Sequence, residues 1–367
     1  MDERAAFALF VPVVLAASLF ANRLKVHKTI PSVVLLLALT GTLASVLSQS
    51  FSQTLMAVSL AVAVIVGRQL YMSLGKPRVL RAVSWFTLAL LVGGVVGIIY
   101  AAVGGARLMD VQVGYRTTHL YLTTFSFATI GNIIRPSGIF DEPGSFVMYV
   151  SVITMFNDTL RQNQKLTTAL VVLLVFTGSL AGMALAALYA VTSNAAKAHH
   201  KKSILILGSF LTAFMVLSIV APSNLVSMTV DTFYSDRLQV KDGRLSGDNR
   251  SRQVYEFFSI VDDDMLLRGT KNSTQLSKAE DQSSNPFSIV YGYGVLISLP
   301  YFVLLFWLAG TAVRQNFRNS YTSLGLLLLL LQRPYLYNMA WSILILAAVW
   351  LVYHASRDGR NRTCARQ

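Results

Sequence analysis

Apolar runs of membrane-spanning length recur along the chain, separated by short clusters of polar and basic residues. A bilayer crossing takes about 20 predominantly apolar residues, with roughly 17 to 25 tolerated. The pattern predicts spans at Ala5–Ala21, Ile30–Ser48, Thr54–Leu74, Ser84–Val103, Ser145–Asn157, Ser203–Ala221, Ser288–Val313 and Met339–His354. Leu166–Asn194 is too long for one helix, and Gly178-Ser179-Leu180-Ala181-Gly182 divides it into two. Ser320–Leu331 is short and draws its ends from polar flanks. By length, about eleven crossings result. The expected fold class is all-α: a polytopic integral membrane protein with two large loops on one side.

Composition agrees with this pattern. Hydrophobic residues make up 54% of the 367 residues and charged ones only 13%, half the roughly 25% of a soluble domain. The net charge of +14 raises the question of nucleic acid. Its distribution answers it, because the basic residues sit in connectors between apolar runs rather than on one soluble face. With the amino terminus outside and strict alternation, the inner segments hold 18 basic residues against two acidic ones, Asp158 and Asp358. The outer segments hold 13 basic and 15 acidic residues. That asymmetry orients the chain, with the amino terminus outside and the carboxyl terminus on the cytoplasmic side. The first apolar run lacks a small-x-small cleavage site and reads as a retained span. Cys364 is the only cysteine, so no intrachain disulfide and no cysteine metal site is expected.

The expected organisation is therefore helices in 1–103, an outer loop in 104–143 and central helices in 144–221. A second outer loop in 222–287, helices in 288–354 and a basic inner tail in 355–367 complete it. Pro222–Phe287 holds 8 basic and 10 acidic residues, and its pieces Val254–Val261 and Asp262–Leu267 are apolar enough for short amphipathic helices. Unstructured loops above about 12–15 residues are usually functional or disordered. We expect a compact outer cap.

The first outer loop ends in Ile134-Arg135-Pro136-Ser137-Gly138-Ile139-Phe140-Asp141-Glu142-Pro143-Gly144-Ser145-Phe146. Two prolines and two glycines make this stretch irregular, and its three charges keep it from hydrocarbon. It reads as a shaped site at the membrane boundary. A guanidinium is a planar fork that pairs bidentately with phosphate at any relevant pH, so Arg135 suits a lipid diphosphate. The alternative is an arginine snorkelling from a helix end. Glu142 and Asp141 precede an apolar run. Either is a candidate general base toward a hydroxyl, a partner of the helix macrodipole, or an ion-pair partner of Arg135. Arg116, in the same loop, and Arg244, Arg250, Arg252 and Arg268, in the second, are candidate ligands for anions or sugars. A bare charge run is otherwise a solvated face. Asp262-Asp263-Asp264 lacks the spacing of a calcium loop, and the five histidines are scattered, so no metal or other cofactor is expected.

The stretch Arg135–Phe146 resembles the signature of Wzy-type O-antigen polymerases and their exopolysaccharide relatives, in which Arg-x-Ser-Gly-(Ile/Leu)-Phe-x-Glu-Pro-Gly leads into a span. Ser246-Gly247-Asp248-Asn249-Arg250 followed by Arg268-Gly269 is similar to that family's Ser-Gly-x-x-Arg…Gly pattern. Thr177–Gly182 is similar to its turn between central helices. The likeness runs from about Gly104 to Tyr337. It implies a GT-C-like helical fold and metal-independent transfer of a glycan from undecaprenyl diphosphate to a new lipid-linked repeat unit. Arg135 with Arg250 or Arg252 would hold diphosphate, and Glu142 would assist the acceptor hydroxyl. Implied partners are the lipid-linked oligosaccharide and the bilayer, with a chain-length regulator and a flippase beside them. Two departures stand out. The outer loops lack the Arg-x10-Gly spacing of some polymerases, and Pro222–Phe287 lacks the histidine that related O-antigen ligases carry in their large loop. A ligase is the second expectation. A transporter is the third, disfavoured because no internal repeat and no mid-membrane charges appear.

Overall fold

The computed structural model describes residues 29–48, 52–113, 116–127, 129–130, 133–140, 142–193, 240–241, 244–245, 257–259, 261–269, 285–315 and 320–364. The expected spans Ala5–Ala21 and Ser203–Ala221 lie outside these residues, as does Asp141. Most of the described chain is helical. Among the described residues, four helices are long and apolar enough to cross a membrane, over Gln53–Leu74, Pro77–Ala102, Val295–Arg314 and Met339–Arg357. Shorter apolar helices occupy Ser32–Leu47, Gln164–Thr177, Leu180–Thr192 and Tyr321–Gln332.

The chain forms two compact units, each interleaved in sequence. One comprises residues 1–72, 250–310 and 329–367. It contains α1 (Thr29–Ser48) and nearly all of α2 (Ser52–Leu74).

The other unit comprises 73–249 and 311–328, and it carries the Arg135 motif. Its first long helix is α3 (Pro77–Ala102), which begins on Pro77 after the extended Lys76. Proline is favoured at the first helical position because its missing N–H would have no partner there.

Between this helix and the next, the expected irregular loop is partly β structure, which qualifies the all-α expectation. Strands β1 (Met109–Val113), β2 (Arg116–Tyr121) and β3 (Thr124–Ser126) form an antiparallel meander, and β4 (Thr129–Ile130) pairs with β5 (Ile133–Ile134). Thr118 and Tyr121 of β2 and Thr124 and Ser126 of β3 are buried, and both strands pack against α3. Ile98, Tyr121 and Ile134 form a small core there, flanked by Tyr100, Ala101 and Phe176. Close approach explains Gly97, because a Cβ there would lie 2.3 Å from Thr124 Cγ2.

Helix α4 (Pro143–Thr159) follows the motif. It replaces the expected span Ser145–Asn157, and all of its residues from Pro143 to Asp158 are buried except Tyr149. A helix buried on nearly every side belongs inside a bundle, so α4 is a core helix of its unit rather than a lipid-facing one. Polar contacts tie it in place. Asn157 Nδ2 donates to Ser84 Oγ at 2.8 Å, and Thr154 Oγ1 lies 2.8 Å from the Tyr321 hydroxyl. Such interhelical bonds contribute about 0.6–2 kcal/mol each in membrane proteins.

The expected break near Gly178 is present. Helix α5 (Gln164–Leu174) runs into a 3-10 turn at Val175–Thr177, and α6 (Leu180–Thr192) starts after Gly178, whose φ is +60°. At 11 and 13 residues, each piece is shorter than a full crossing.

Further along, β6 (Val240–Lys241) pairs with β7 (Arg244–Leu245). The short helix α7 (Asp263–Arg268) falls on the piece Asp262–Leu267 expected to be helical. Helices α8 (Ser288–Tyr293), α9 (Val295–Arg314), α10 (Tyr321–Gln332) and α11 (Met339–Cys364) complete the described elements, with a 3-10 turn at Tyr335–Tyr337.

Candidate functional site

Backbone chemistry turns the Arg135 motif into a latched structure rather than a loose loop. Phe125, in the middle of β3, exchanges hydrogen bonds with two successive motif residues. Its N–H donates to the Gly138 carbonyl at 2.9 Å, and its carbonyl accepts from Ser137 N–H at 2.8 Å. The motif therefore extends the meander beyond β3. The Gly138 N–H donates to Thr124 Oγ1 at 2.9 Å, and the Phe140 N–H to the Ser137 carbonyl at 2.9 Å. The Ser137 hydroxyl is fully buried, 2.8 Å from the Phe125 carbonyl oxygen and 2.7 Å from that of Phe140.

Arg135 stands on this frame. Ile134 before it is 4% exposed, and Pro136 and Ser137 after it are buried, while Arg135 itself is half-buried. Pro136 also packs near Gly94 of α3, where a Cβ would come within 3.1 Å of the proline ring. Clamping the backbone on both sides fixes where the side chain starts. That lowers the entropic cost of presenting a guanidinium to an anion.

Glu142 closes the motif. It is 8% exposed and extended (φ −146°, ψ 152°), in the capping position of α4, directly before Pro143. Ser145, three residues on, donates its hydroxyl to Glu142 Oε1 at 3.2 Å. A carboxylate at a helix start also meets the positive end of the macrodipole. Of the structural roles foreseen for a carboxylate here, the helix-start position is the one this geometry gives Glu142. A carboxylate offers about four acceptor sites, so the serine bond does not exhaust its capacity. Phe140 stacks on Phe146 at 5.7 Å and lies 5.4 Å from the Tyr149 ring, which covers the turn between Arg135 and Glu142.

The other arginines are dispersed. Arg116 opens β2 opposite Val113, and Arg244 opens β7 opposite Lys241. Arg250 and Arg252 lie outside the described residues. Arg268 belongs to the other unit and closes α7, where its Nε lies 3.1 Å from Asp264 Oδ1. The acidic triplet has ordinary helix-start employment: Asp262 Oδ1 caps the Met265 N–H at 2.7 Å and Asp264 pairs with Arg268.

Two features escaped the sequence reading. Thr124 and Phe125, which hold the motif, carry no chemical signature, and only the hairpin pairing reveals them. His119 and Asp110 face each other in register across β1 and β2, with Nδ1 2.6 Å from Oδ1. A strand pairing around Gly114 was the signal that would have joined them. A carboxylate-held imidazole is an oriented proton carrier.

The latch makes a prediction. Ser137→Ala should remove the hydroxyl that bonds the Phe125 and Phe140 carbonyls, at a cost of about 0.5–1.5 kcal/mol. Thermal unfolding in detergent should show a lowered midpoint. An unchanged midpoint would mean that the serine does not secure the turn.

Compared with family models, with curated proteins and with solved structures, the chain matches none.

Proposed function

We propose that this protein polymerises undecaprenyl-diphosphate-linked oligosaccharide repeat units at the outer face of a bacterial inner membrane. The single observation that carries this reading is the clamped backbone under Arg135, held by β3 and leading directly into a buried helix. It supports a guanidinium presented at a set position, as recognition of a diphosphate requires.

In this reading, the acceptor hydroxyl oxygen attacks the anomeric carbon of the donor glycan. The bond from that carbon to the diphosphate oxygen breaks, and the diphosphate leaves with the bonding pair, its charge balanced by Arg135. Glu142 takes the hydroxyl proton. The GT-C-like architecture and the crossings outside the described residues belong to the same proposal.

Purified protein incubated with a synthetic lipid-diphosphate oligosaccharide should yield multimers of the repeat by mass spectrometry. Unaltered substrate would overturn the reading, and transfer to a different acceptor would make the protein a ligase. Glu142→Gln should lower the turnover rate by about a hundredfold, at the lower end of what a general base contributes. Donor affinity should change little. A turnover rate equal to that of the unmodified protein would strip Glu142 of the role.

A further inference from the structure

The unit that lacks the Arg135 motif contains a cavity of about 270 Å³, lined by Ser288, Ile289, Tyr293, Pro334, Tyr335, Tyr337 and Asn338. None of these residues was singled out by the sequence. We propose that this cavity is the subsite that holds one sugar ring of the lipid-linked glycan. The proposal deepens the polymerase reading and rests on it.

The walls decide the ligand class. Tyrosine rings come from α8 and from the 3-10 turn, with Tyr293 and Tyr337 centred 5.9 Å apart and Trp341 6.1 Å from Tyr335. Their hydroxyls are already employed where the bonds are visible. The Tyr337 hydroxyl donates to the Ile297 carbonyl, and Arg333 Nη1 donates to the Tyr335 oxygen. What Tyr337 offers a ligand is therefore ring surface, and Tyr335 adds a second ring. Burial, then the neighbouring Tyr293 and Tyr301, pushes the Tyr337 phenol above its ordinary range, so it stays a neutral donor.

Polar capacity comes from the Asn338 amide and the Ser288 hydroxyl. A pyranose has matching halves: an apolar C–H face for an aromatic plate and a rim of hydroxyls for an amide and an alcohol. A polyprenyl tail would call for aliphatic walls, and Ile289 and Pro334 alone supply those. A diphosphate would call for cations or N–H groups in the lining, whereas the Arg333 guanidinium lies over the Tyr335 ring, 5.4 Å from its centre.

One wall of the cavity is tied to its neighbours. Buried Gln53 uses its side-chain amide to donate to the carbonyls of Arg268 at 3.0 Å and Tyr293 at 3.1 Å, which joins α7 to one cavity wall. Gly269 and Gly294 make that junction possible, since a Cβ on Gly269 would lie 2.5 Å from the Tyr293 nitrogen. The Arg268-Gly269 pair singled out in the sequence is thus a neighbour of the cavity. Charge gives its side of the membrane. The cavity stands at the start of α9 and of α11, and the far ends of these helices carry Arg314 and Arg357. The positive-inside rule therefore puts the cavity on the outer face.

The test uses full-length protein in detergent and the free oligosaccharide released by mild acid from the lipid-linked precursor of the producing cells. Calorimetry and tryptophan fluorescence, with Trp341 beside the cavity, should report saturable binding. Tyr335→Leu should weaken it about tenfold, while Tyr335→Phe, which keeps the ring, should hold affinity within about twofold. Asn338→Ala should weaken it severalfold, and Arg135→Ala should leave it unchanged. No binding, or equal affinity in Tyr335→Leu and the unmodified protein, overturns the subsite. Competition by sugar-free undecaprenyl phosphate as effective as that by the oligosaccharide also overturns it, assigning the cavity to lipid. If the oligosaccharide binds as predicted but lipid-linked units are never joined, the sugar site stands and the polymerase reading falls. If units are joined and Tyr335→Leu leaves the KM for them untouched, the reading stands and the subsite falls.

Discussion

Arg135→Ala is expected to leave cells with single repeat units and no long glycan, at normal levels of the protein in the membrane. Ile134, Pro136 and Ser137 are packed around the backbone at this position, while the side chain is half-buried. Truncating it removes the charge while these neighbours still hold the backbone. Loss of a positively charged clamp on a departing diphosphate costs about 10²–10³ in rate, enough to stop extension before a second unit is added. Arg135→Lys separates charge from geometry. Lysine keeps the charge but presents it as a point rather than a planar fork, so short chains of a few units are expected. Glycan length on a gel, beside an immunoblot for protein level, reads both variants. Long chains from Arg135→Ala would remove Arg135 from the chemistry.

Gly138→Val should damage the same function by a different route. Gly138 has φ +62°, a region that costs an ordinary residue about 1–2 kcal/mol and a β-branched one more. An added Cβ would lie 3.3 Å from the Phe146 ring, within contact that the ring must yield to. The residue also donates to Thr124 and accepts from Phe125, so the backbone cannot rotate away without releasing the latch. Destabilisation of about 2–4 kcal/mol is expected from strain and overpacking together. Thermal unfolding should fall together with chain extension. Gly138→Ala, strained but smaller, should lie between the two. A Gly138→Val protein of native stability and full activity would show that Arg135 does not depend on this turn.

The two predictions draw on information of different origin. Arg135 was visible in the sequence because charge, proline and glycine were crowded before an apolar run. Glu142 was visible too, and the structure gives it the capping position and a serine partner. The β meander was not legible, because Met109–Val113 and Arg116–Tyr121 are short and their alternation is weak. The Tyr293–Tyr337 cavity was hidden for a related reason. Its walls are about forty residues apart in sequence and meet through the packing of their own unit.

Hydrophobic length alone determined that several helices are long and apolar enough to cross a membrane, and the spacing of lysine and arginine set their expected direction. Both are properties of a single segment and its flanks, since a bilayer acts on each helix separately. Only tertiary structure decided that Pro143–Asp158 is enclosed rather than lipid-facing, because lipid and protein interiors are equally apolar and composition cannot tell them apart. It also decided that Ser137 and Gly138 bond to Phe125 and that Arg268 pairs with Asp264. Hydrogen-bond partners depend on which backbones meet, and that is a property of the packed unit rather than of any one stretch of chain.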